Sequence, residues 1–406
     1  METDVVIIGA GPAGVSAATV AATHGARVHV VDEQAHIGGR LPGQLYPHRD
    51  GTWWVGQQVA DGLREQAERA QVTFLLETSV WGVFPQWTVQ LHSPTREVPK
   101  SLTASCVVIC TGAAQIPVPI PGWTLPGVLG VGAAQMFVNA YHVKPGNRAL
   151  VIGLDLLGLT VAHELQLGGV EVVGLVLPGD VCGLDSIPTP LSALKVLGSV
   201  SSWAPNRITR WMGTRLRNAR GAAVAARLFP RGGVTIGGIP LWIRRAALAI
   251  NGHHAVESVT LTDLTPNGDR IPGCEHTVTV DTVVLSGGLY PLAEVPAAMG
   301  CRMLTMPELG GQVPFYGPGL ETTADGVFVA GSVTGIEGAP VAMAQGTLAG
   351  LSAARYLGLV DDSEFHHQRQ QALNEIDRAR FHADIQFMSN IQAGRKAMET
   401  AWLQRA

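Results

Sequence analysis

Residues 4–33 place the strongest constraint on the fold. An apolar run ends at Gly9, the sequence Gly-Ala-Gly-Pro-Ala-Gly follows, and an Ala-rich stretch leads to a second β-like run that ends in Asp32 and Glu33. This order is typical of a strand–helix–strand unit that binds a dinucleotide, in which glycines let the backbone approach the diphosphate. The N-terminus of the helix offers free N–H groups to the phosphates. The sequence therefore predicts a dinucleotide cradle at Gly9, Gly11 and Gly14, with an acid at its ribose end.

A second unit of the same kind is predicted between residues 148 and 177. A strand over residues 149–152 leads into a turn with Gly153, Asp155 and Gly158, and a helix and a further strand follow. Asp155 stands where the middle glycine of the motif would be, and a carboxylate at that point repels a diphosphate. The second strand also ends without the acid typical of NAD sites or the arginine typical of NADP sites. We therefore predict a nucleotide-type domain that does not use NAD(P)H, the alternative being NAD bound in an unusual way.

Composition excludes several classes of protein. The chain has 406 residues, 46% of them hydrophobic, and a formal net charge of −4, which argues against nucleic-acid binding by bulk electrostatics. Its five cysteines form no C-x-x-C pair, which indicates an intracellular protein without a metal or iron–sulfur site of its own. No uninterrupted apolar run reaches the ~20 residues that a transmembrane helix needs. We expect a cytoplasmic protein, either free or peripheral at the inner face of the membrane.

The stretch from residue 186 to residue 256 is strongly basic. It contains no Asp or Glu, but it holds Lys195 and nine arginines: Arg207, Arg210, Arg215, Arg217, Arg220, Arg227, Arg231, Arg244 and Arg245. One interpretation is a solvated helical face. The other is a docking surface for an acidic partner or for a nucleotide phosphate.

The C-terminal residues 363–406 are predicted to be helical, with an apolar stripe along one side. The stripe consists of Ile376, Ala383, Phe387, Ile391, Met398 and Trp402. A stripe of this kind has to be buried, either against the body of this chain or against a partner.

Taken in order, these motifs resemble the two-dinucleotide-domain flavoproteins of the glutathione-reductase type. That group has a first strand–helix–strand unit, a Gly-Gly turn as at Gly38-Gly39, a strand ending Thr-Gly as at Thr111-Gly112, an inserted second unit and a late strand ending Gly-Asp. The resemblance implies an α/β fold with two Rossmann-like domains, the second inserted in the first, and a helical tail. The implied boundaries are residues 1–122 and 286–357 for an FAD-binding domain, 123–285 for the second domain, and 358–406 for a tail that could form a subunit interface.

Two strings resemble a narrower family: Ile-Pro-Gly-Trp-Thr-Leu-Pro-Gly-Val at residues 120–128 and Ser-Gly-Gly-Leu-Tyr-Pro at residues 286–291. This family comprises the flavin-containing α subunits of heteromeric, dye-linked amine and imino-acid dehydrogenases. Its members include D-hydroxyproline, L-proline and opine dehydrogenases, hydrogen cyanide synthase and the α chain of sarcosine oxidase. The resemblance implies an FAD-binding oxidoreductase subunit that relays electrons to an iron–sulfur, quinone or dye acceptor. The implied partners are a small iron–sulfur subunit and a catalytic flavoprotein (β) subunit.

Carried over residue by residue, the resemblance implies a continuous FAD site. The diphosphate would be cradled by Gly9, Gly11, Pro12, Ala13 and Gly14, and the adenosine ribose would be held by Asp32 and Glu33. The diphosphate or flavin would be flanked by Gly39 and Arg40, and the adenine would meet the backbone of Val80. The cofactor would be covered by Thr111 and Gly112, and its ribityl chain would be reached by Gly331 and Ser332. The resemblance identifies no catalytic acid or base and no metal ligand.

The chain departs from its group at two points. Ser332 stands where the group has Asp, and a shorter, uncharged hydroxyl predicts weaker FAD binding. The cysteine-rich iron–sulfur segment of many relatives has no counterpart here, so an electron path through such a cluster needs a separate small subunit. No cysteine pair lies near the flavin-type motifs, which excludes disulfide reductase chemistry.

Two rival hypotheses remain open at the level of sequence. The first is a stand-alone NAD(P)H-dependent flavin reductase, against which Asp155 argues. The second is a non-catalytic scaffold subunit with ATP or ADP in the second domain and little or no flavin.

Overall fold

A computed structural model describes residues 1–48, 51–179, 188–199, 219–383, 387–388 and 390–405. The described residues form two compact units. The first unit consists of Met1–Pro42, Val55–Ala114 and Leu289–Ala406, and the second consists of Gly43–Trp54 and Gln115–Gly288.

The helices of the described chain are numbered in order. They are α1 (Pro12–Thr23), α2 (Gly56–Arg69), α3 (Val131–Asn139), α4 (Leu156–Leu167), α5 (Pro190–Ser199), α6 (Ala219–Leu228), α7 (Glu294–Ala298), α8 (Ala339–Tyr356), α9 (Asp362–Phe381) and α10 (Ile391–Leu403).

The strands are numbered in the same way. They are β1 (Glu2–Ile8), β2 (Val28–Val31), β3 (Leu45–Pro47), β4 (Trp53–Val55), β5 (Thr73–Leu75), β6 (Ser79–Phe84), β7 (Thr88–His92), β8 (Ser101–Ile109), β9 (Ala113–Gln115), β10 (Val128–Gly130), β11 (Arg148–Ile152), β12 (Glu171–Pro178), β13 (Val234–Ile236), β14 (Ile239–Asn251), β15 (Ser258–Leu264), β16 (Arg270–Thr279), β17 (Thr282–Leu285), β18 (Leu289–Pro291), β19 (Met303–Met306), β20 (Gly311–Pro314) and β21 (Val327–Val329).

The main sheet of the first unit is built around β1. Its strand order is β5-β2-β1-β8-β7-β6, and β21 pairs with the last residues of β8. The strands β5, β2, β1, β8 and β21 are parallel, and the register aligns Ile8 with Val31 and with Ile109, and Ile109 with Val329. Four parallel strands therefore end at the same level, on the edge of the sheet where α/β proteins bind their ligands.

The two helices α1 and α8 cross at very short distance in the first unit. A Cβ atom on Gly346 would lie 2.1 Å from the carbonyl oxygen of Ala13, and one on Gly350 would lie 2.3 Å from that of Ala17. Because no side chain fits into these gaps, glycine is required at both positions of α8. The crossing fixes α8 directly against the helix that follows the first glycine motif.

The second unit repeats this arrangement around β11. Its strand order is β10-β17-β11-β12-β14-β15-β16, with β13 on β14. The strands β10, β17, β11, β12 and β14 are parallel, and β14, β15 and β16 continue as an antiparallel meander. The repeated parallel pattern is that of a second dinucleotide-binding-type sheet, as the sequence predicts.

The C-terminal region is helical but forms the two helices α9 and α10 rather than one continuous helix. Ile376, Met398 and Trp402 of the predicted stripe are buried, and the Trp402 ring packs edge-on against Phe315, with ring centroids 5.0 Å apart. These stripe residues are therefore buried against the first unit of the same chain.

The basic stretch is only partly described. Arg207, Arg210, Arg215 and Arg217, and the side chain of Arg220, lie outside the described residues. Arg244 is only 8% exposed, and its Nε donates to the carbonyl oxygen of Leu264 at 3.1 Å. Arg244 therefore belongs neither to a solvated face nor to a docking surface, because it bonds to the backbone inside the fold.

The described residues contain neither a candidate membrane-spanning helix nor a candidate metal centre. Among their helices, none combines the length and the apolarity needed to cross a membrane. Their His, Cys, Asp and Glu side chains form no group of three or more suited to a metal ion.

Candidate functional site: the glycine cradle of the first unit

The first glycine motif forms a turn whose glycines have different roles. Gly9 has φ +108°, and a Cβ there would lie 2.3 Å from the carbonyl oxygen of Cys110. A Cβ on Gly14 would lie 1.8 Å from the carbonyl oxygen of Gly9. A Cβ on Gly11, in contrast, would meet no atom within 4 Å. Packing therefore requires the first and third glycines, whereas the second borders open space that a ligand can occupy.

The N-terminus of α1 faces this open space. Gly11 is the N-cap residue, Pro12 follows it, and no side chain in the described part of the chain caps the helix. The first N–H groups of α1 are thus left to an outside acceptor, and they carry the positive end of the helix dipole. Pro12, Ala13 and Gly14 therefore offer the environment that a diphosphate requires.

Asp32 follows β2 and bonds to the glycine turn. Its Oδ2 accepts from the backbone N of Ala10 at 2.5 Å, and its Oδ1 accepts from the backbone N of Gln34 at 2.7 Å. Burial raises the pKa of the Asp32 carboxyl, while the two backbone donors counteract part of this effect. Each carboxylate oxygen keeps a lone pair that could accept a ribose hydroxyl. Glu33, the other predicted ribose ligand, is exposed.

The Gly-Gly turn lies directly against the first glycine motif. The N–H of Gly38 donates to the carbonyl oxygen of Ala10 at 2.8 Å, and a Cβ on Gly39 would lie 3.1 Å from the Cα of Gly11. Gly39 has φ +58°, which glycine adopts without strain. The turn thus brings the Gly39 backbone beside the cradle, while the adjacent Arg40 is exposed.

The residues just before Val80 bond to the loop that carries Asp32. The backbone N of Thr78 donates to the carbonyl oxygen of Asp32 at 2.9 Å, and that of Glu77 donates to Gln34 at 3.0 Å. Val80 itself is half-buried. It follows that the start of β6 lies close to the loop that holds the acid.

Thr111 and Gly112 follow β8 and are fixed by one neighbour. The Thr111 Oγ1 donates to the carbonyl oxygen of Leu292 at 2.7 Å, and the N–H of Leu292 donates to the carbonyl oxygen of Gly112 at 3.0 Å. Gly112 has φ +81° and no atom within 4 Å of a Cβ position. Its backbone is therefore held in place while its side-chain side is free.

The 3₁₀ turn Gly331–Thr334, called here the Gly331 turn, follows β21. A Cβ on Gly331 would lie 2.9 Å from the Cβ of Ala13, so the turn adjoins the cradle. The N–H of Gly331 donates to the Oε1 of Gln345 at 2.9 Å, and its carbonyl oxygen accepts from the Oγ1 of Thr334 at 2.8 Å. Ser332 is partly exposed beside it. Sequence reasoning missed Gln345 and Thr334, although a buried glutamine within the Ala-rich α8 is a signal that could have found the first.

Most of the predicted site residues thus lie together at one edge of one sheet. The loops after β1, β2, β8 and β21 carry Gly9, Asp32, Thr111 and Gly331, and these four strands end in register. The arrangement offers backbone N–H groups, one partly buried carboxylate and four predicted site glycines with positive φ, namely Gly9, Gly39, Gly112 and Gly331. It suits a long ligand with an anionic middle and a hydroxylated ribose end.

The cysteines next to the cradle are not activated. Burial raises the pKa of the thiols of Cys106 and Cys110 to about 12. Both are unpaired, as are the other described cysteines, Cys274 and Cys301. A thiol with so high a pKa is a poor nucleophile, so neither Cys106 nor Cys110 is suited to thiol–disulfide exchange.

The second glycine motif has the same spacing but is filled by its own side chain. Gly153 has φ +121°, and a Cβ on Gly158 would lie 2.7 Å from the carbonyl oxygen of Gly153. Asp155 is the N-cap of α4, and its Oδ1 accepts from the N of Gly158 at 2.7 Å. The Oγ of Ser286 donates to both Asp155 oxygens at 2.8 Å. The carboxylate thus occupies the place where a phosphate would bind at a helix N-terminus.

A buried carboxyl lies further along α4. Glu164 is 1% exposed, and the Nε2 of Gln135 donates to its two oxygens at 3.1 and 3.0 Å. Burial raises the pKa of Glu164 to about 8, and the hydrogen bonds from Gln135, Leu45 and Asn139 reduce this effect. Since these contacts join α3, α4 and the start of β3, the carboxyl belongs to the core of the second unit.

The fold and the cradle define an FAD-type, two-domain pyridine nucleotide oxidoreductase. A family model described as pyridine nucleotide-disulphide oxidoreductase matches residues 3–189, and one described as glucose inhibited division protein A matches residues 316–359. The chain belongs to the pyridine nucleotide-disulphide oxidoreductase family, and the predicted fold, with its two Rossmann-like sheets and helical C-terminal region, is confirmed.

Individual proteins give a finer comparison. The chain is 30% identical over 366 residues to the opine oxidase A subunit of Rhizobium meliloti, covering 87% of this chain and 71% of that protein. It is 26% identical over 372 residues to the sarcosine oxidase alpha subunit of the same species, covering 88% of this chain and 31% of that protein. The predicted resemblance to such α-type subunits is thereby confirmed, and the chain spans only part of these relatives.

A solved structure agrees at the level of the fold. The L-proline dehydrogenase of P. horikoshii superposes with a TM-score of 0.64 at 19% identity, covering 93% of this chain and 59% of that one. At this identity the likeness shows the fold alone.

Proposed function

We propose that this chain is the FAD-binding α subunit of a heteromeric amino- or imino-acid dehydrogenase of the D-hydroxyproline, proline or opine type. A partner flavoprotein (β) subunit oxidises the substrate, whose C–N bond becomes C=N with loss of two electrons and two protons. The electrons pass through this chain to a quinone or dye-type acceptor, or to an iron–sulfur cluster on a small third subunit. The chain acts in the cytoplasm or at the inner face of the membrane.

The observation that carries this proposal is the open position at Gly11. A dinucleotide fits a cradle whose middle glycine borders free space at an uncapped helix N-terminus, and the relatives named above are themselves called subunits. When bound, FAD supplies reversible two-electron transfer.

The residues of this chain would divide the binding between them. The N–H groups at the start of α1 hold the diphosphate against Gly11, and the carboxylate of Asp32 accepts the adenosine ribose hydroxyls, with Glu33 at the outer side. The backbones of Gly39 and Arg40 flank the diphosphate. The remaining contacts come from Val80, Thr111, Gly112, Gly331 and Ser332. We assign no catalytic acid or base to this chain, and for that reason we place the chemistry of the substrate in the partner.

The second domain is proposed to be closed to nicotinamide nucleotides. The Asp155 carboxylate already takes the N–H of Gly158 and the hydroxyl of Ser286, and it would repel a diphosphate. ATP or ADP in this domain would have to bind without placing its phosphates on the N-terminus of α4.

A spectrum and a rapid-mixing experiment test the cofactor and the rival hypotheses. We expect the purified chain to show flavin bands at about 375 and 450 nm and to be reduced slowly or not at all by NADH or NADPH. A colourless protein that still binds ATP or ADP would support the non-catalytic scaffold instead. Fast bleaching by NADH or NADPH alone would support the stand-alone flavin reductase.

Reconstitution tests the partner and the electron path. The chain is co-expressed with neighbouring reading frames that encode a second glycine-motif flavoprotein and a small cysteine-rich protein, where the genome has them. We expect dye reduction with D-hydroxyproline, L-proline or an opine only when this chain and the flavoprotein are both present. Equal activity of the partner flavoprotein without this chain would refute the electron relay.

A further inference from the structure

A largely buried arginine of the C-terminal helix α10 reaches the backbone of the Gly331 turn. The side chain of Arg395 is 11% exposed. Its Nη1 donates to the carbonyl oxygen of Thr334 at 2.8 Å and to the Thr334 Oγ1 at 2.9 Å, and its Nη2 donates to the carbonyl oxygen of Gly335 at 3.3 Å. The hydroxyl of Tyr316 is a further partner of Nη1. One guanidinium therefore holds the end of the turn at three atoms.

Thr334 passes this restraint on to Gly331. Its hydroxyl, which accepts from Arg395, donates to the carbonyl oxygen of Gly331 at 2.8 Å. The N–H of the same glycine is held by the side chain of Gln345 at 2.9 Å. Gly331 is thus fixed through both of its backbone polar groups, and one of the two depends on a hydroxyl that Arg395 orients.

Glycines at two positions allow the arginine to come so close. A Cβ on Gly335, which has φ +143°, would lie 3.0 Å from the Nη2 of Arg395. A Cβ on Gly394 would lie 2.8 Å from the Cδ2 of Leu309 and 2.9 Å from the Cβ of Glu308. Since larger residues at either position would push α10 away, the local sequence is adapted to this contact.

The charge of Arg395 is balanced by Glu337, which a second arginine also contacts. The Nη2 of Arg395 donates to the Oε2 of Glu337 at 2.6 Å, and the Nε of Arg380 on α9 donates to its Oε1 at 2.9 Å. Burial raises the pKa of Glu337, but the two arginines outweigh this effect and lower it. Within the described residues Arg380 makes no hydrogen bond to Thr334 or Gly335, so it shares the ion pair but not the contact with the turn.

We propose that Arg395 is a positioning residue for the cofactor site: from the C-terminal helix it fixes the Gly331 turn in the conformation that receives the ribityl chain of FAD. This inference rests on the proposed function, because it takes Gly331 and Ser332 as cofactor contacts. It makes α10 part of the binding site, although no residue of that helix belongs to a nucleotide-binding motif.

The test compares Arg395→Gln with the matched variant Arg380→Gln in the full-length chain. Both substitutions remove an arginine from Glu337, but only the first removes the donors to Thr334 and Gly335. The apoproteins are titrated with FAD, and flavin quenching gives the Kd. Their melting temperatures without FAD, and the visible circular dichroism of the bound flavin, are measured in parallel.

We expect Arg395→Gln to raise the Kd for FAD about tenfold or more, the effect of losing hydrogen bonds from a charged donor, and to change the visible circular dichroism. Arg380→Gln should stay within about threefold of wild type even if its melting temperature falls. Arg395→Lys keeps the charge but has no fork to span Thr334 and Gly335, so its Kd should be intermediate; this variant also serves if Arg395→Gln does not fold.

Other outcomes overturn the inference. A wild-type Kd for the Arg395 variants, or an equal loss of affinity in Arg380→Gln, would mean that Arg395 contributes only to general stability. A wild-type chain that binds no FAD at all would instead refute the proposed function, and this inference with it.

Discussion

Gly11 offers the sharpest test of the cofactor site, because a substitution there should spare the fold. The residue has φ −70° and ψ −179°, which any L-amino acid adopts without strain, and its Cβ position is open to 4 Å. We therefore expect Gly11→Asp and Gly11→Ala to fold as the wild-type chain does. The same two changes at Gly9 or Gly14 would collide with backbone and would not separate folding from binding.

The size of the effect follows from the added charge. An Asp carboxylate at Gly11 would lie about 4 Å from a bound diphosphate, and two like charges at that distance repel by about 4 kcal/mol at an effective dielectric constant of about 20. This energy corresponds to roughly a thousandfold weaker binding of FAD. Gly11→Ala adds only a methyl group, for which overpacking costs about 1–3 kcal/mol, so its affinity should fall between those of wild type and Gly11→Asp.

Flavin content after purification and titration of the apoproteins with FAD provide the measurement. The melting temperatures of the three apoproteins should agree within a few degrees, which shows that any loss of affinity arises at the site. A normal flavin content in Gly11→Asp would refute the argument and place the diphosphate elsewhere.

Three further predictions concern stability and the second unit. The pKa of Glu164 is raised from 4.5 to about 8, so between these values the folded state keeps a proton that the unfolded state loses. The free energy of unfolding of the wild type should therefore fall as the pH rises, by at most about 1.4 kcal/mol per pH unit. Urea unfolding at pH 6 and pH 8 should show a smaller fall in this free energy for Glu164→Gln. Asp155→Gly should lose only a few tenths of a kcal/mol of capping energy and, by calorimetric titration, gain affinity for NADH relative to wild type. An unchanged NADH affinity would contradict the proposed role of this carboxylate. Gly346→Ala should lower the melting temperature and the affinity for FAD by forcing α8 off Ala13, whereas Gly62→Ala, in an open position of α2, should not.

The sequence was sufficient to predict those parts of the site that depend on neighbours along the chain. The turn at Gly9, the acid at Asp32 and the Gly-Gly turn have fixed spacings, since a strand–helix–strand unit sets the distances between them. The carboxylate of Asp155 in the second glycine turn could be read from its motif in the same way, but its role as the N-cap of α4 was not predicted. The hydrogen bond from Ser286, which holds that carboxylate, could not be predicted in this way, because the two residues lie 131 positions apart.

Contacts between distant segments account for what sequence reasoning missed. Gln345 and Thr334 meet at Gly331 only after β21 and α8 have packed together, and Arg395 reaches Thr334 from 61 residues away. The basic stretch gives a similar lesson, since charge patterns alone do not reveal that Arg244 bonds to backbone inside the fold. Predicting such partners requires knowing which helices cross, and that depends on the whole core.

The two glycine turns differ in whether a side chain of this protein caps the helix that follows. In the second unit the carboxylate of Asp155 caps α4 by accepting from the N–H of Gly158. In the first unit no side chain of the described residues caps α1. An anionic ligand that binds at this helix N-terminus stabilises the folded form by mass action. If this ligand is FAD, as proposed, a shortage of riboflavin would lower the stability of the folded protein by the loss of this contribution.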